Sequence, residues 1–190
     1  MCHFCRIRVV RQQSNQRSKH MEITTQSAEE FAELLAKYKI IPPHKKPKKA
    51  KNIYEALYEL KKHLDESLRM EFWGENIGTD RDANEDYERI LKRFHKLSKG
   101  ELELKNLTSS MAGDTVEINF TDNGKQYNWK FEHYSDHIDE EFLDFIFEYS
   151  NSKTTNQLMN LKNEDIFEVA YLPKEIVDFF KKHGPDECFA

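Results

Sequence analysis

The chain has 190 residues, of which 33% are charged and 38% hydrophobic, enough for one domain with a substantial core and hardly for two. Its 13 Phe, 8 Tyr and 2 Trp argue against wholesale disorder, because disordered chains are poor in large apolar side chains. No run approaches the roughly 20 apolar residues of a membrane helix, no signal peptide is recognisable, and three cysteines do not make a disulfide framework. We therefore expect a cytoplasmic protein that does not enter the membrane.

The net charge of −5 is distributed unevenly along the chain. Residues 1–20 contain five Arg or Lys and no acid, whereas residues 131–190 contain fourteen Asp or Glu against five Lys. Net charge bears on partners rather than on fold, and an acidic surface repels nucleic acid and attracts basic proteins. The composition predicts a basic protein partner and no nucleic-acid partner.

Residues 1–20 are basic, rich in Gln and Ser, and without sustained periodicity. We interpret them as a disordered arm, a leader or a misassigned start, followed by a single α+β domain over residues 21–190. Cys2 and Cys5 form a C-x-x-C motif, but zinc requires four ligands, and only His20 and the distant Cys188 are left to complete the set. The expectation is therefore no metal site, with these residues as incomplete candidates.

The first predicted helix begins at Ser27, which is placed to form a capping box with Glu30. Pro42 and Pro43 end it. The basic segment that follows, residues 44–51, has the charge of a nucleic-acid or targeting patch but no aromatic residue between its lysines. We interpret this segment as a solvated loop.

Two more helices are predicted, over Asn52–Met70 and Ala83–Ser98, with Gly100 as a left-handed cap after the second. The apolar period then changes from about 3.6 to 2, which is typical of strands. Short runs of alternation occur at residues 101–105, 116–120 and 127–131. Asn123-Gly124 lies between the last two runs and favours the positive φ angles of a tight hairpin turn.

The C-terminal third begins with an acidic helix over Ile138–Tyr149, for which Ser135 or Asp136 is the predicted N-cap. Two short strands follow at residues 157–161 and 166–172, and a last helix begins after Pro173. The predicted fold is α+β, in which N-terminal helices precede an antiparallel sheet of about five strands with helices packed on one face.

A histidine-rich segment, His133 to His137, is the main candidate for catalysis. His133 and His137 are predicted to straddle a strand end and a helix start, so helical spacing does not bring them together, and Asp136 is accounted for as a cap. The chain contains no P-loop, dinucleotide-binding glycine pattern, nucleophile elbow or H-E-x-x-H motif. We therefore expect no enzymatic activity and no cofactor; a small enzyme or regulatory module built on His133, Asp136 and His137 is the alternative.

The acidic helix is the main candidate for partner binding. On a helical wheel Glu140, Asp144 and Glu148 lie opposite the apolar stripe, and Phe147 falls off that stripe beside the acids. An exposed aromatic ringed by carboxylates is the composition of an anchor for a basic partner. The competing interpretation is an ordinary solvated face, with Phe147 covered by a neighbouring strand.

The stretch from Tyr127 to His183 resembles the C-terminal part of small bacterial immunity proteins, which neutralise the toxin domains of contact-dependent or polymorphic secretion systems. The resemblance rests on W-K-F-E at residues 129–132, a polar turn with Ser135-Asp136, the acidic amphipathic helix, and a strand ending in Y-L-P before a final helix. It covers about the last third of the chain. It implies a non-catalytic protein that binds a cognate toxin, and it assigns no individual site residue.

Charge and resemblance together predict a protein that blocks a basic, nuclease-type toxin domain through an acidic surface. A nucleic-acid- or metal-binding protein that uses the basic N-terminal arm is a second alternative.

Removing residues 1–20 is expected to leave the melting temperature and partner binding unchanged, because nothing in this segment is patterned to pack against a core. Thermal melts of the full chain and of residues 21–190 measure this. A large loss of stability on truncation, or stoichiometric zinc that disappears in Cys2→Ser, would contradict it.

Overall fold

A computed structural model of the chain describes residues 23–184 apart from 43, 46–47, 154 and 163–165. The arm with Cys2, Cys5 and His20, and also Cys188, lie outside the described residues. Among the described residues, no helix is both long enough and apolar enough to span a bilayer.

The protein has an α+β fold with two antiparallel sheets. The helices are α1 (Thr25–Lys37), α2 (Ile53–His63), α3 (Ala83–Leu97), α4 (Glu140–Asn151) and α5 (Lys174–His183). The strands are β1 (Arg69–Trp73), β2 (Lys105–Ala112), β3 (Thr115–Asp122), β4 (Lys125–Glu132), β5 (Asn156–Lys162) and β6 (Ile166–Pro173). The first sheet has the order β1-β6-β5, and the second has the order β2-β3-β4.

Strand β6 is the centre of the first sheet and is buried along nearly its whole length. Phe167, Val169 and Tyr171 belong to one apolar core, while Ala170 and Leu172 belong to the other. This division is the two-residue alternation of a strand whose opposite faces are both covered. Helices α1, α2 and α5 contribute to the second core and so cover one face of the sheet.

Helices α3 and α4 cover the other face and form a layer between the two sheets. Helix α3 contacts β1 of the first sheet and β2 and β3 of the second, whereas α4 contacts β5 and β4. Since β1 and β5 are opposite edges of one sheet, and β2 and β4 of the other, the two helices lie towards opposite edges of the molecule. This arrangement decides which of their side chains reach solvent.

The predicted hairpin is confirmed. Strands β3 and β4 pair in register, with Ile118 opposite Trp129 and Asp122 opposite Lys125. The two-residue turn places Asn123 at φ 48° and Gly124 at φ 77°, which is the left-handed backbone that an Asn-Gly turn adopts readily.

The prediction of one five-stranded sheet covered on one face is wrong. The first sheet includes β1, which begins within the range predicted for the second helix (Asn52–Met70). Helices cover both faces of this sheet. Leu64 and Leu68 continue the helical spacing, but α2 ends at His63 and a single 3₁₀ turn leads into β1. The strand forms because it pairs with β6, almost a hundred residues later, a contact that local periodicity does not contain.

Two helix caps also differ from expectation. Helix α1 begins two residues early, because the hydroxyl of Thr24 accepts from the Ser27 N–H at 3.1 Å and no capping box forms at Ser27. Helix α4 is capped by Asp139, whose carboxylate accepts from the Glu141 N–H at 2.8 Å, rather than by Ser135 or Asp136. Both caps are standard residue types; the error lay in their position.

Trp129→Ala is expected to lower the free energy of unfolding by about 3–5 kcal/mol, through lost burial and the cavity left behind. The Trp129 ring is 6% exposed, meets Phe120 at 4.9 Å between centroids and stacks on Phe145 at 5.5 Å. Urea denaturation measures the change. The matched control is Trp73→Ala at a side chain 60% exposed, for which a loss below about 1 kcal/mol is expected; equal losses would refute the core assignment.

Candidate functional site

Helix α4 exposes a narrow sector that consists of acidic side chains. Its position between the two sheets buries most of its circumference, with Phe142 and Ile146 fully buried in the larger core. The carboxylates that remain exposed are those of Glu140, Glu141, Asp144 and Glu148. We call these four residues the acidic edge. Glu140, Asp144 and Glu148 were predicted from sequence; Glu141 was missed because it lies at the border of the helical-wheel stripe.

Within the described part of the chain, no carboxylate of the acidic edge makes an ion pair or accepts a side-chain hydrogen bond. Many other surface acids do pair. Each of Glu29, Glu88 and Asp178 has a lysine ammonium 2.6–2.8 Å away. The acidic edge is therefore a concentration of negative charge that no cation among the described residues balances.

The charge of the acidic edge is favourable at one end of α4 and unfavourable at the other. Glu140 and Glu141 lie in the first turn, where the helix dipole favours an anion, but Glu148 lies in the last turn, where it does not. Helix α4 has no basic residue in its last turn, whereas α1, α2, α3 and α5 each have one or more. Lys181 of α5 reaches this end, but its ammonium donates to Asn151 at 2.9 Å.

Phe147 is buried, so the prediction of an exposed aromatic anchor at this position is wrong. The helical wheel correctly places Phe147 next to the acidic side chains, but the residue is only 4% exposed. The reason is the layer packing: α4 contacts β5 as well as β4, so a second flank of the helix is covered. The aromatic that borders the acidic edge with part of its surface exposed is Phe145, which stacks on Trp129.

His133 is part of the packing between layers. It is 8% exposed, and its Nδ1 shares a 3.0 Å hydrogen bond with the hydroxyl of Tyr87, a fully buried residue of α3. The same hydroxyl accepts from the backbone N–H of Asp139, the cap of α4, at 2.9 Å. Burial raises the pKa of the Tyr87 phenol, so the group remains a neutral hydrogen-bonding bridge between α3, the loop after β4 and the cap of α4.

His137 is in a different environment and is exposed. Its Nδ1 lies 2.8 Å from the carboxylate of Asp136, and its Nε2 lies 3.6 Å from that of Glu75. Both ring nitrogens therefore face carboxylates, and neither faces a hydroxyl or thiol nucleophile. The structure does not bring His133, Asp136 and His137 together as one catalytic group.

No cluster of three or more His, Cys, Asp or Glu side chains among the described residues is arranged to hold a metal ion.

No family model, curated protein or solved structure matches this chain.

Tyr87→Phe is expected to cost about 1–3 kcal/mol of unfolding free energy, because it removes the partner of two largely buried groups while keeping the ring. Chemical denaturation checks this, with Tyr134→Phe as the control, since that side chain is 78% exposed. If the two variants were equally stable, the bridge between His133 and Asp139 would not be structural.

Proposed function

We propose that this protein is a toxin-neutralising immunity protein, which binds a cognate basic toxin domain through the acidic edge of α4. The observation that carries the proposal is the set of four exposed carboxylates with no cation of the described protein to balance them. The resemblance of residues 127–183 to immunity proteins, which rests in part on the same acidic helix, supports the proposal as well.

Repulsion among the carboxylates of the acidic edge is the reason to look for a partner. Glu140 and Asp144, and likewise Asp144 and Glu148, are four residues apart on one helix, where like charges repel by a few tenths of a kcal/mol per pair. A partner with lysines or arginines at its surface would reverse the sign of this interaction. A cationic partner therefore converts an unfavourable feature of the free protein into a favourable one.

A nuclease-type toxin domain fits this requirement because its active surface must be basic to hold phosphate groups. Opposed charges accelerate association by one to three orders of magnitude. Fast capture benefits an inhibitor whose target damages the cell that makes it. Cover of the basic surface by α4 would exclude the nucleic-acid substrate without any catalysis by the inhibitor.

Phe145 supplies an apolar neighbour for the charged contact. It is half-buried, is held by stacking on Trp129 at 5.5 Å, and lies next to Glu141 and Glu148 on the helix surface. Aromatic side chains are enriched in the buried centres of protein interfaces, where they often act as anchors. We assign to Phe145 the anchoring role predicted for Phe147.

The first test is co-expression of this protein with the C-terminal domain of a large secreted protein encoded beside it. Cells should survive with both proteins and die with the toxin domain alone, and the purified pair should form a complex. Death despite co-expression, together with no complex in vitro, would refute the immunity function.

The second test locates the surface. Reversal of Glu140 and Asp144 to Lys is expected to slow association roughly tenfold at low salt and to flatten its dependence on ionic strength. The matched control replaces the exposed Glu30 and Glu33 of α1 by Lys. Helix α1 lies on the face of the first sheet that is turned away from α4. Stopped-flow association rates over a series of salt concentrations provide the measurement. Equal association rates for the two double variants would exclude the acidic edge as the binding surface. The immunity function itself would remain supported by complex formation.

A further inference from the structure

A second charged region lies towards the opposite edge of the molecule, between α3 and the end of β1. It is a cleft of about 400 Å³, within the range of small-ligand sites. The side chains of Phe72, Ile77 and Ile90 contribute apolar lining. Three arginines also line it, one from the loop before α3 and two from α3 itself: Arg81, Arg89 and Arg93. We call this region the arginine cleft.

A buried carboxylate fixes two of the arginines. Asp86 is 3% exposed, and its Oδ1 lies 2.9 Å from the Arg89 guanidinium and 3.4 Å from that of Arg81. Its Oδ2 accepts from the backbone N–H of Gly78 at 3.0 Å. A carboxylate held on both oxygens orients the guanidinium groups before any ligand arrives, which lowers the entropy lost on binding.

Arg93 has no carboxylate partner within the described residues, and a guanidinium N–H donates to the backbone carbonyl of Glu71. Burial and the neighbouring charge of Arg89 lower the pKa of Arg93. Two arginines four residues apart on one helix repel each other. An anion between them would remove that repulsion and could accept two parallel N–H bonds from a guanidinium.

Trp73 gives the cleft an exposed aromatic surface. It follows the buried Phe72 at the end of β1, lines the cleft, and is 60% exposed. The exposed part of its indole is therefore accessible to a ligand in the cleft. An indole also stacks well on planar rings, as aromatic side chains do on nucleobases in proteins that bind single strands.

Three further acids line the cleft, and each bears on the charge of its ligand. Glu75 is half-buried, and its carboxylate lies 3.6 Å from Nε2 of His137. Glu71 and Asp80 are exposed to water, which screens them. The acid closest to the arginines is Asp86, and it already interacts with two of them. A single anionic group therefore fits better than a polyanion.

We infer that the arginine cleft binds a small planar aromatic ligand that carries one phosphate or carboxylate group, with the ring against Trp73 and the anion on Arg89 and Arg93. A mononucleotide has this chemistry, and so does an aromatic acid. The site lies towards the edge opposite the acidic edge, and no residue is shared between them. The inference is therefore independent of the proposed toxin binding, and either can fail without the other.

Tryptophan fluorescence of the full chain provides the experiment, because one of its two tryptophans, Trp129, is buried and the other lines the cleft. Titration with adenosine monophosphate should quench the emission saturably, with a Kd below about 1 mM. Adenosine and inorganic phosphate, each lacking one half of the ligand, should bind at least about tenfold more weakly. The aromatic carboxylate 4-hydroxybenzoate tests whether a carboxylate can take the place of the phosphate.

Arg89→Gln and Arg93→Gln should each weaken binding of the anionic ligand at least about tenfold. Lys92→Gln is the matched control, because it removes a charge from the same helix at a side chain that pairs with Glu88 at 2.6 Å outside the cleft; its affinity should stay within about twofold of the original. Isothermal titration of Trp73→Phe, which removes the reporter, should show weakened binding as well.

The absence of saturable quenching by both anionic probes up to about 10 mM would overturn the inference. So would equal affinity for adenosine and its monophosphate, or arginine variants that bind like Lys92→Gln. Saturation by only one of the two anionic probes would identify the anion and support the site. Thermal melts of every variant establish that a loss of binding does not come from unfolding.

Discussion

Strand β6 has to be covered on both faces, and the arrangement of the other elements follows from this. Its apolar side chains alternate between two cores, so neither face tolerates solvent. The one charged side chain described within it, Glu168, points into the core shared with α2 and α5 but contacts Lys61 and the Arg69 guanidinium, the latter at 3.1 Å. A buried carboxylate is tolerated only with such partners, which ties the position of α2 and β1 to the central strand.

The layer of α3 and α4 between the sheets accounts for the surface chemistry of the protein. A helix that contacts two sheets has two covered flanks, so only a narrow sector is left for solvent. In α4 that sector is acidic, and near α3 it opens into the arginine cleft. The Tyr87 hydroxyl joins α3 to the cap of α4 and to His133 of the loop after β4. His133 therefore contributes to the packing that positions α3 and α4.

The two regions differ in how far their charges are balanced within the described part of the chain. The four carboxylates of the acidic edge have no cationic partner there. In the cleft, four carboxylates accompany the three arginines, and Asp86 pairs with two of these. Long-range attraction of a basic partner would therefore come from the acidic edge, whereas the arginines would act on a ligand only at short range.

The sequence determined the features that depend on neighbours along the chain. The hairpin at Asn123-Gly124, the extent of α3 and the solvent-facing acids of α4 follow from turn chemistry and periodicity. Tertiary structure alone decided the pairing of β1 with β6, the burial of Phe147 and the meeting of Trp73 with the arginines of α3. All three features depend on contacts between residues far apart in sequence. The spacing of apolar residues within one helix or strand does not indicate which other element will cover it.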